Sequence, residues 1–283
     1  MSRERLTITL QEDVLEALDQ SIDGQRLRNR SHAIEYFLSK ALGKKALKVL
    51  ILAGGKPVFF DSEKKALPKA MVKIAGKPLL EHTLLKLKNA KFSEVIISIA
   101  EGGEGIKEYF GDGHSFGLHI SYLKQTDKIK GTAQALMQAK EILGSGNFLL
   151  LYGDVLSDVD LTDLTQFHSL NKPAVCTMTL TSTESVNMWG LAKMQGSRIV
   201  DFEEKPSNPK TFSRLVNAGV YLMENEIFKY ILNSSVKLES DVFPRLAEEG
   251  KLYGYLHEGM WLDVSSSAAY KQAAREIDKN DKN

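Results

Sequence analysis

The chain has 283 residues, 43% of them apolar, enough for one large domain or for one large and one small. A net charge of +1 singles out no charged partner, and one cysteine, Cys176, rules out an internal disulfide framework. No stretch has the length and apolarity of a signal peptide or a membrane span, so a cytoplasmic protein with no membrane partner is expected.

Arg5 to Leu10 reads RLTITL, polar and apolar in strict alternation, the period of a half-buried strand. Val14, Leu15, Leu18 and Ile22 then recur at helical spacing, and Gly24 ends that helix. Ser31 is placed as the N-cap of a second helix with Ala33, Ile34, Phe37, Leu38 and Leu42 on one face. One strand and two helices cannot bury these faces alone, so a second copy is expected to cover them.

This order resembles the ribbon-helix-helix family of DNA-binding proteins over residues 2–43. The resemblance implies a homodimer, or a higher homo-oligomer, whose paired strands enter the major groove of an operator. Arg5, Thr7 and Thr9 would then read base edges. Ser31, with Arg28 and Arg30 crowded at the same helix end, would meet a phosphate. Against this, residues 1–48 hold nine Lys/Arg to seven Asp/Glu, a weak surplus for a DNA binder. The lysines at 44, 45 and 48 mark a short boundary, giving domains 1–47 and 48–283.

Lys48 to Leu52 is a buried strand by its apolar run, and it stops at Ala53-Gly54-Gly55. Twelve residues later come Pro68-Lys69, then a strand from Met71 to Ile74 and the turn Gly76-Lys77-Pro78. Helical and strand patterns then alternate: helix 79–87, strand 95–99, helix after Gly103, strand 118–123, helix 133–143, strand 148–152. The rhythm predicts an α/β protein with a doubly wound, mostly parallel sheet, its ligands beyond the carboxyl ends of the strands. Residues 267–279 read as a closing helix.

The polar motifs fall at those ends. Gln125 precedes Gly131-Thr132-Ala133, and an apolar strand runs into Gly153-Asp154. Trp189-Gly190, Glu204-Lys205-Pro206, Asn217-Ala218-Gly219, Leu238-Glu239-Ser240-Asp241 and Trp261-Leu262-Asp263 follow. Together with the glycine loop and Pro68-Lys69, this series resembles the sugar-1-phosphate nucleotidyltransferases. The resemblance implies a Rossmann-like domain that binds a nucleotide or nucleotide sugar. It puts the nucleotide at Leu52, Ala53, Gly54, Gly55, Gln125, Gly131 and Thr132. It puts the sugar and its phosphate at Gly190, Glu204, Lys205 and Asn217. Lys69, Asp154 and Asp263 become catalytic, with Mg²⁺ between the two aspartates.

The loop departs from that family. Its arginine falls on Phe59, within Lys56-Pro57-Val58-Phe59-Phe60. Proline removes an N–H, and the side chains of Val58 and Phe59 offer a triphosphate no hydrogen-bonding group. With the product-binding positions kept and the pyrophosphate grip lost, a DNA-binding transcriptional regulator with a nucleotide-sugar effector is expected. The alternative is an active transferase dimerised by its N-terminal module.

Overall fold

The computed structural model describes residues 7–22, 29–41, 47–55, 57, 67–126, 128–208 and 213–264. The chain divides into two compact units, Met1–Ala46 and Leu47–Asn283.

In the first unit, α1 (Glu12–Gln20) and α2 (Arg30–Ala41) form where apolar spacing predicts them. Glu12 and Asp13 occupy the first turn of α1, where negative charge favours the helix dipole. Leu18 and Ala33 make the buried contact, with Leu15, Ile22 and Ile34 packed beside it.

The predicted strand is corrected for its described part. Residues 7–11 join no ladder among the described residues, and Thr7, Ile8, Thr9 and Leu10 are all exposed. A lone strand leaves its backbone N–H and C=O groups unpaired, and among the described residues no edge meets it. Ser31 is no cap either. The helix starts at Arg30, Ala33 N–H donates to the Asn29 carbonyl, and Ser31 lies inside the first turn. Arg30 forks onto Asp19, Nε to Oδ1 and Nη2 to Oδ2, each at 2.7 Å. That bidentate pair holds the Asp19 carboxyl below its usual range. Arg5 and Arg28 lie outside the described residues.

The second unit begins with β1 (Lys48–Ala53), buried from Val49 to Leu52. The strand predicted from Met71 is shorter than expected. A 3₁₀ turn takes Lys69–Met71, and only β2 (Lys73–Ile74) pairs, with β3 (Lys77–Pro78). Between them Ala75 and Gly76 both have positive φ, +49° and +78°, the signature of a tight hairpin turn. Then come α3 (Leu79–Asn89), β4 (Glu94–Ile99), α4 (Glu104–Phe110) and β5 (His119–Lys124). They are followed by α5 (Thr132–Gln138), α6 (Lys140–Leu143) and β6 (Phe148–Tyr152). The chain goes on through β7 (Val155–Ser157), α7 (Leu161–Leu170), β8 (Cys176–Ser182), β9 (Gly190–Gln195), β10 (Arg198–Glu204) and β11 (Leu215–Met223). It closes with α8 (Leu238–Asp241), α9 (Phe243–Glu248), β12 (Leu252–Leu256) and β13 (Trp261–Asp263). The predicted closing helix at 267–279 lies outside the described residues.

Among the described residues the main sheet runs β5-β4-β1-β6-β11-β8-β12-β10-β9. β5, β4, β1 and β6 are parallel, as are β8 and β12. β11 is antiparallel to β6, β8 and β9, and β10 to β9 and β12. The α/β class holds, but the sheet is mixed rather than mostly parallel. Only Gly196 and Ser197 link β9 to β10, a connection that an antiparallel pair alone can use. Leu50, Leu52 and Leu150 belong to one apolar cluster; Val49, Ile51, Leu149 and Leu151 belong to another. Alternate side chains point to opposite faces, so the sheet is covered on both. Cys176 is buried as expected, and burial pushes its thiol pKa up. Among the described residues no helix is long and apolar enough to cross a membrane.

Candidate active site

β1 and β6 are neighbours and parallel, so their carboxyl ends open on the same side. Leu52, Ala53, Gly54 and Gly55 leave β1 there, and Gly153 and Asp154 leave β6. With Lys69 and Ala70 of the 3₁₀ turn they line one concavity. Lys69 Nζ lies 2.9 Å from Asp154 Oδ2, the two side chains 29% and 30% exposed. A pair this wet contributes little stability and can exchange partners when a phosphate arrives.

Gln125 reaches the same loop. Its backbone N–H donates to the Ile99 carbonyl at 2.8 Å, and its Nε2 donates to Ser98 Oγ at 3.0 Å. A Cβ on residue 54 would stand 2.3 Å from that amide nitrogen. Only glycine at 54 lets the Gln125 amide lie against the loop.

Asp263 comes from the far end of the chain. β13 pairs antiparallel with β7, placing Asp263 opposite Val155, and Val264 N–H donates to the Asp154 carbonyl at 2.9 Å. The two aspartates thus sit at one end of a two-stranded ribbon. Trp189 Nε1 donates to Asp263 Oδ2 at 2.8 Å. The Trp189 ring meets Trp261 edge to face at 5.1 Å, and Trp261 Nε1 donates to the Ala218 carbonyl at 3.0 Å. Among the described residues no group of three or more His, Cys, Asp or Glu side chains could hold a metal alone. Two carboxylates fit magnesium, which takes one or two from protein and completes its octahedron with phosphate and water.

A second cluster adjoins through Trp189. Glu204 ends β10 opposite Gly190 of β9. Burial pushes the Glu204 carboxyl up, helped by Glu239 and opposed by Lys205 and Lys237. Lys205 has φ +48°, and its N–H donates to the Trp189 carbonyl at 3.1 Å. A left-handed lysine costs about 1–3 kcal/mol and marks a place where backbone strain aims a side chain. Asn217 is buried in β11, where the ladder to β8 breaks register, and it accepts from Gly219 N–H at 3.0 Å.

Thr132 opens α5. It accepts from Leu238 N–H at 2.9 Å and donates to Glu239 Oε2 at 2.6 Å. Tyr152 donates to the other Glu239 oxygen. A Cβ at Gly131 would stand 2.5 Å from the Val236 carbonyl, so its small size is used against that backbone. Sequence reading quoted Glu239 without a role and missed Tyr152 and both tryptophans as partners. Their contacts join distant parts of the chain, which no local pattern reports. Val58, Phe59 and Phe60 of the altered loop lie outside the described residues, as does Lys56; Pro57 is exposed.

The family profile described as Nucleotidyl transferase matches residues 48–280. A UTP–glucose-1-phosphate uridylyltransferase of Synechocystis is 30% identical over 247 residues, 82% of this chain and 63% of that protein. The chain thus spans under two thirds of that relative's length. An N-acetylmuramate α-1-phosphate uridylyltransferase of Neisseria meningitidis is 32% identical over 228 residues, 80% of this chain and 96% of that one. Among solved structures, a Bacillus anthracis protein described as a candidate glucose-1-phosphate thymidylyltransferase superposes with TM-score 0.74. It is 25% identical, covering 82% of this chain and 95% of its own. These relatives are named as transferases acting on sugar 1-phosphates. That overturns the expectation of a DNA-binding transcriptional regulator with a nucleotide-sugar effector; its alternative, the enzyme, fits them.

Proposed function

The chain belongs to the nucleotidyl transferase family, and from that premise we propose that its second unit joins a nucleoside triphosphate to a sugar 1-phosphate. The observation that supports this most is the meeting of Lys69 and Asp154 beside the β1 loop, with Gln125 laid against Gly54. A sugar-phosphate oxygen attacks the α-phosphorus of the triphosphate. One P–O bond forms, the bond to the β-phosphate bridge breaks, and pyrophosphate leaves.

Gln125 offers a donor and an acceptor to a base edge, beside Gly131 and Thr132. Backbone N–H groups from Leu52 to Gly55 approach the phosphates. Lys69 swings from Asp154 to the α-phosphate and offsets the charge that builds there. Asp154 and Asp263 would hold magnesium, which, when bound, neutralises and orients phosphate oxygens. Lys205 receives the sugar phosphate, and Glu204 and Asn217 bond the sugar next to Gly190. The triphosphate substrate puts the reaction in the cytoplasm. The first unit joins two copies of the chain through its uncovered apolar side chains.

The test is pyrophosphate release over a panel of nucleoside triphosphates and sugar 1-phosphates. At least one pairing should turn over, and Lys69→Met should lower kcat by about 10²–10³ for that pairing. No pyrophosphate from any pairing would refute the reading.

A further inference from the structure

Asp263 reaches the site on a strand that the main sheet does not hold. Among the described residues β13 pairs with β7 alone, in a two-stranded sheet of its own. Strands of one sheet are fixed relative to each other by ladder bonds, and among the described residues β13 has none to β9, β10 or β11. Tryptophan side chains make that connection. Trp261 of β13 donates Nε1–H to the Ala218 carbonyl of β11 at 3.0 Å. Trp189, just before β9, donates Nε1–H to Asp263 Oδ2 at 2.8 Å.

The Trp189 donor is pinned from two directions. It follows a 3₁₀ turn, Val186–Met188, with extended backbone, φ −135° and ψ 177°. Its carbonyl accepts from Lys205 N–H at 3.1 Å, and the next residue, Gly190, pairs with Glu204. A Cβ at Gly190 would stand 2.2 Å from the Phe202 ring, so glycine there lets β9 run close beside it. The two indole rings meet edge to face at 5.1 Å, which adds about 0.5–1.5 kcal/mol to the burial of the rings. With backbone and ring both held, the indole N–H stays aimed at Asp263.

The two aspartates are therefore held by different chemistry. Asp154 is met by an ammonium, Lys69, that can leave. Asp263 is met by a neutral donor that carries no charge and has no acceptor to offer. The indole orients the carboxylate without cancelling the negative charge that a cation needs. Carboxylates that bind metals are themselves hydrogen-bonded, and losing such a bond lowers metal affinity about 10–100-fold.

We propose that Trp189 is a positioning residue for the divalent cation: its indole N–H holds the Asp263 carboxylate turned towards the metal. This rests on the transferase reading, which puts magnesium between Asp154 and Asp263.

The chain has two tryptophans, so ¹⁵N-indole labelling gives a side-chain signal for each, and Trp261→Phe identifies them. The full chain is titrated with MgCl₂ against KCl of equal ionic strength. A cation draws electron density from the carboxylate and weakens it as an acceptor, so the Trp189 indole proton should move upfield with Mg²⁺ and stay put with KCl. Mn²⁺ binding, counted by electron paramagnetic resonance of the free ion, should weaken about 10–100-fold in Trp189→Phe, which keeps a ring against Trp261. With any pairing that turns over, that variant should need correspondingly more Mg²⁺ for half its maximal rate and recover the parent kcat in excess Mg²⁺. A Trp189 signal that ignores Mg²⁺ overturns the proposal, as does unchanged Mn²⁺ affinity in a folded Trp189→Phe or a kcat loss that excess Mg²⁺ leaves in place. If Trp189→Phe fails to fold, the wild-type indole titration decides. Absence of pyrophosphate from every pairing sinks the transferase reading alone, and the Mg²⁺ and Mn²⁺ titrations, which need no turnover, still judge Trp189.

Discussion

Thr132 makes two bonds with one hydroxyl, and a single methyl for hydroxyl exchange would break both. Thr132→Val keeps the shape, leaves Leu238 N–H without its acceptor and strips one donor from Glu239. An unsatisfied buried group costs about 1–3 kcal/mol, so the variant should lose that much in urea denaturation while Thr132→Ser stays near wild type. A Thr132→Val protein as stable as the parent would show the hydroxyl to be idle. The residue scale is also where sequence reading reached furthest and stopped. Lys69 and Asp154 could be named because each ends or follows a recognisable element. That they pair, and that Gly54 exists to admit Gln125, depends on residues 85 and 71 positions apart, joined only by the fold.

Among elements, α3 meets β7 through the apolar cluster that holds Leu79 and Leu156, and through a lysine. Lys86 Nζ donates to the Ser157 carbonyl at 2.9 Å, and burial lowers its pKa from 10.5 to about 8, against the pull of Asp158 and Asp160. Between these two values the unfolded chain keeps a proton that the folded chain has released. Stability therefore rises with pH across that window, and below it the cost of burying the charge is present in full. Lys86→Met should be favoured relative to wild type at pH 7, with the gap closing towards pH 10. Urea midpoints at several pH values would check this, and a gap independent of pH would count against it. The parallel strands were legible because burial on both faces forces continuous apolar runs. The antiparallel half was not, since its order comes from pairings that cross the sheet. The alternation of residues 5–10 shows the converse: a strand's pattern does not make a strand until an edge meets it.

On the scale of the whole molecule, the first unit is short of core. Leu18 and Ala33 are buried, while Ile8, Leu10, Val14, Phe37 and Leu38 remain 37–47% exposed. A second copy that covers these side chains would supply the missing burial, at about 25 cal/mol per Å² of apolar surface. Ile8→Glu combined with Leu38→Glu should halve the mass seen by light scattering or sedimentation. An unchanged mass would remove the first unit from the assembly.

The place of β11 in the main sheet also bears on how the protein is made. β11 lies between β6 and β8, yet the ribosome delivers it after both. Until residues 215–223 emerge, the nascent chain carries β6 with one edge bare along Leu149 to Leu151. At ~5–20 residues per second that interval lasts on the order of 10 s, long enough for a bare apolar edge to meet another chain. The β5-β4-β1-β6 side and the β8-β12-β10-β9 side become one sheet only when this late strand slides home between them.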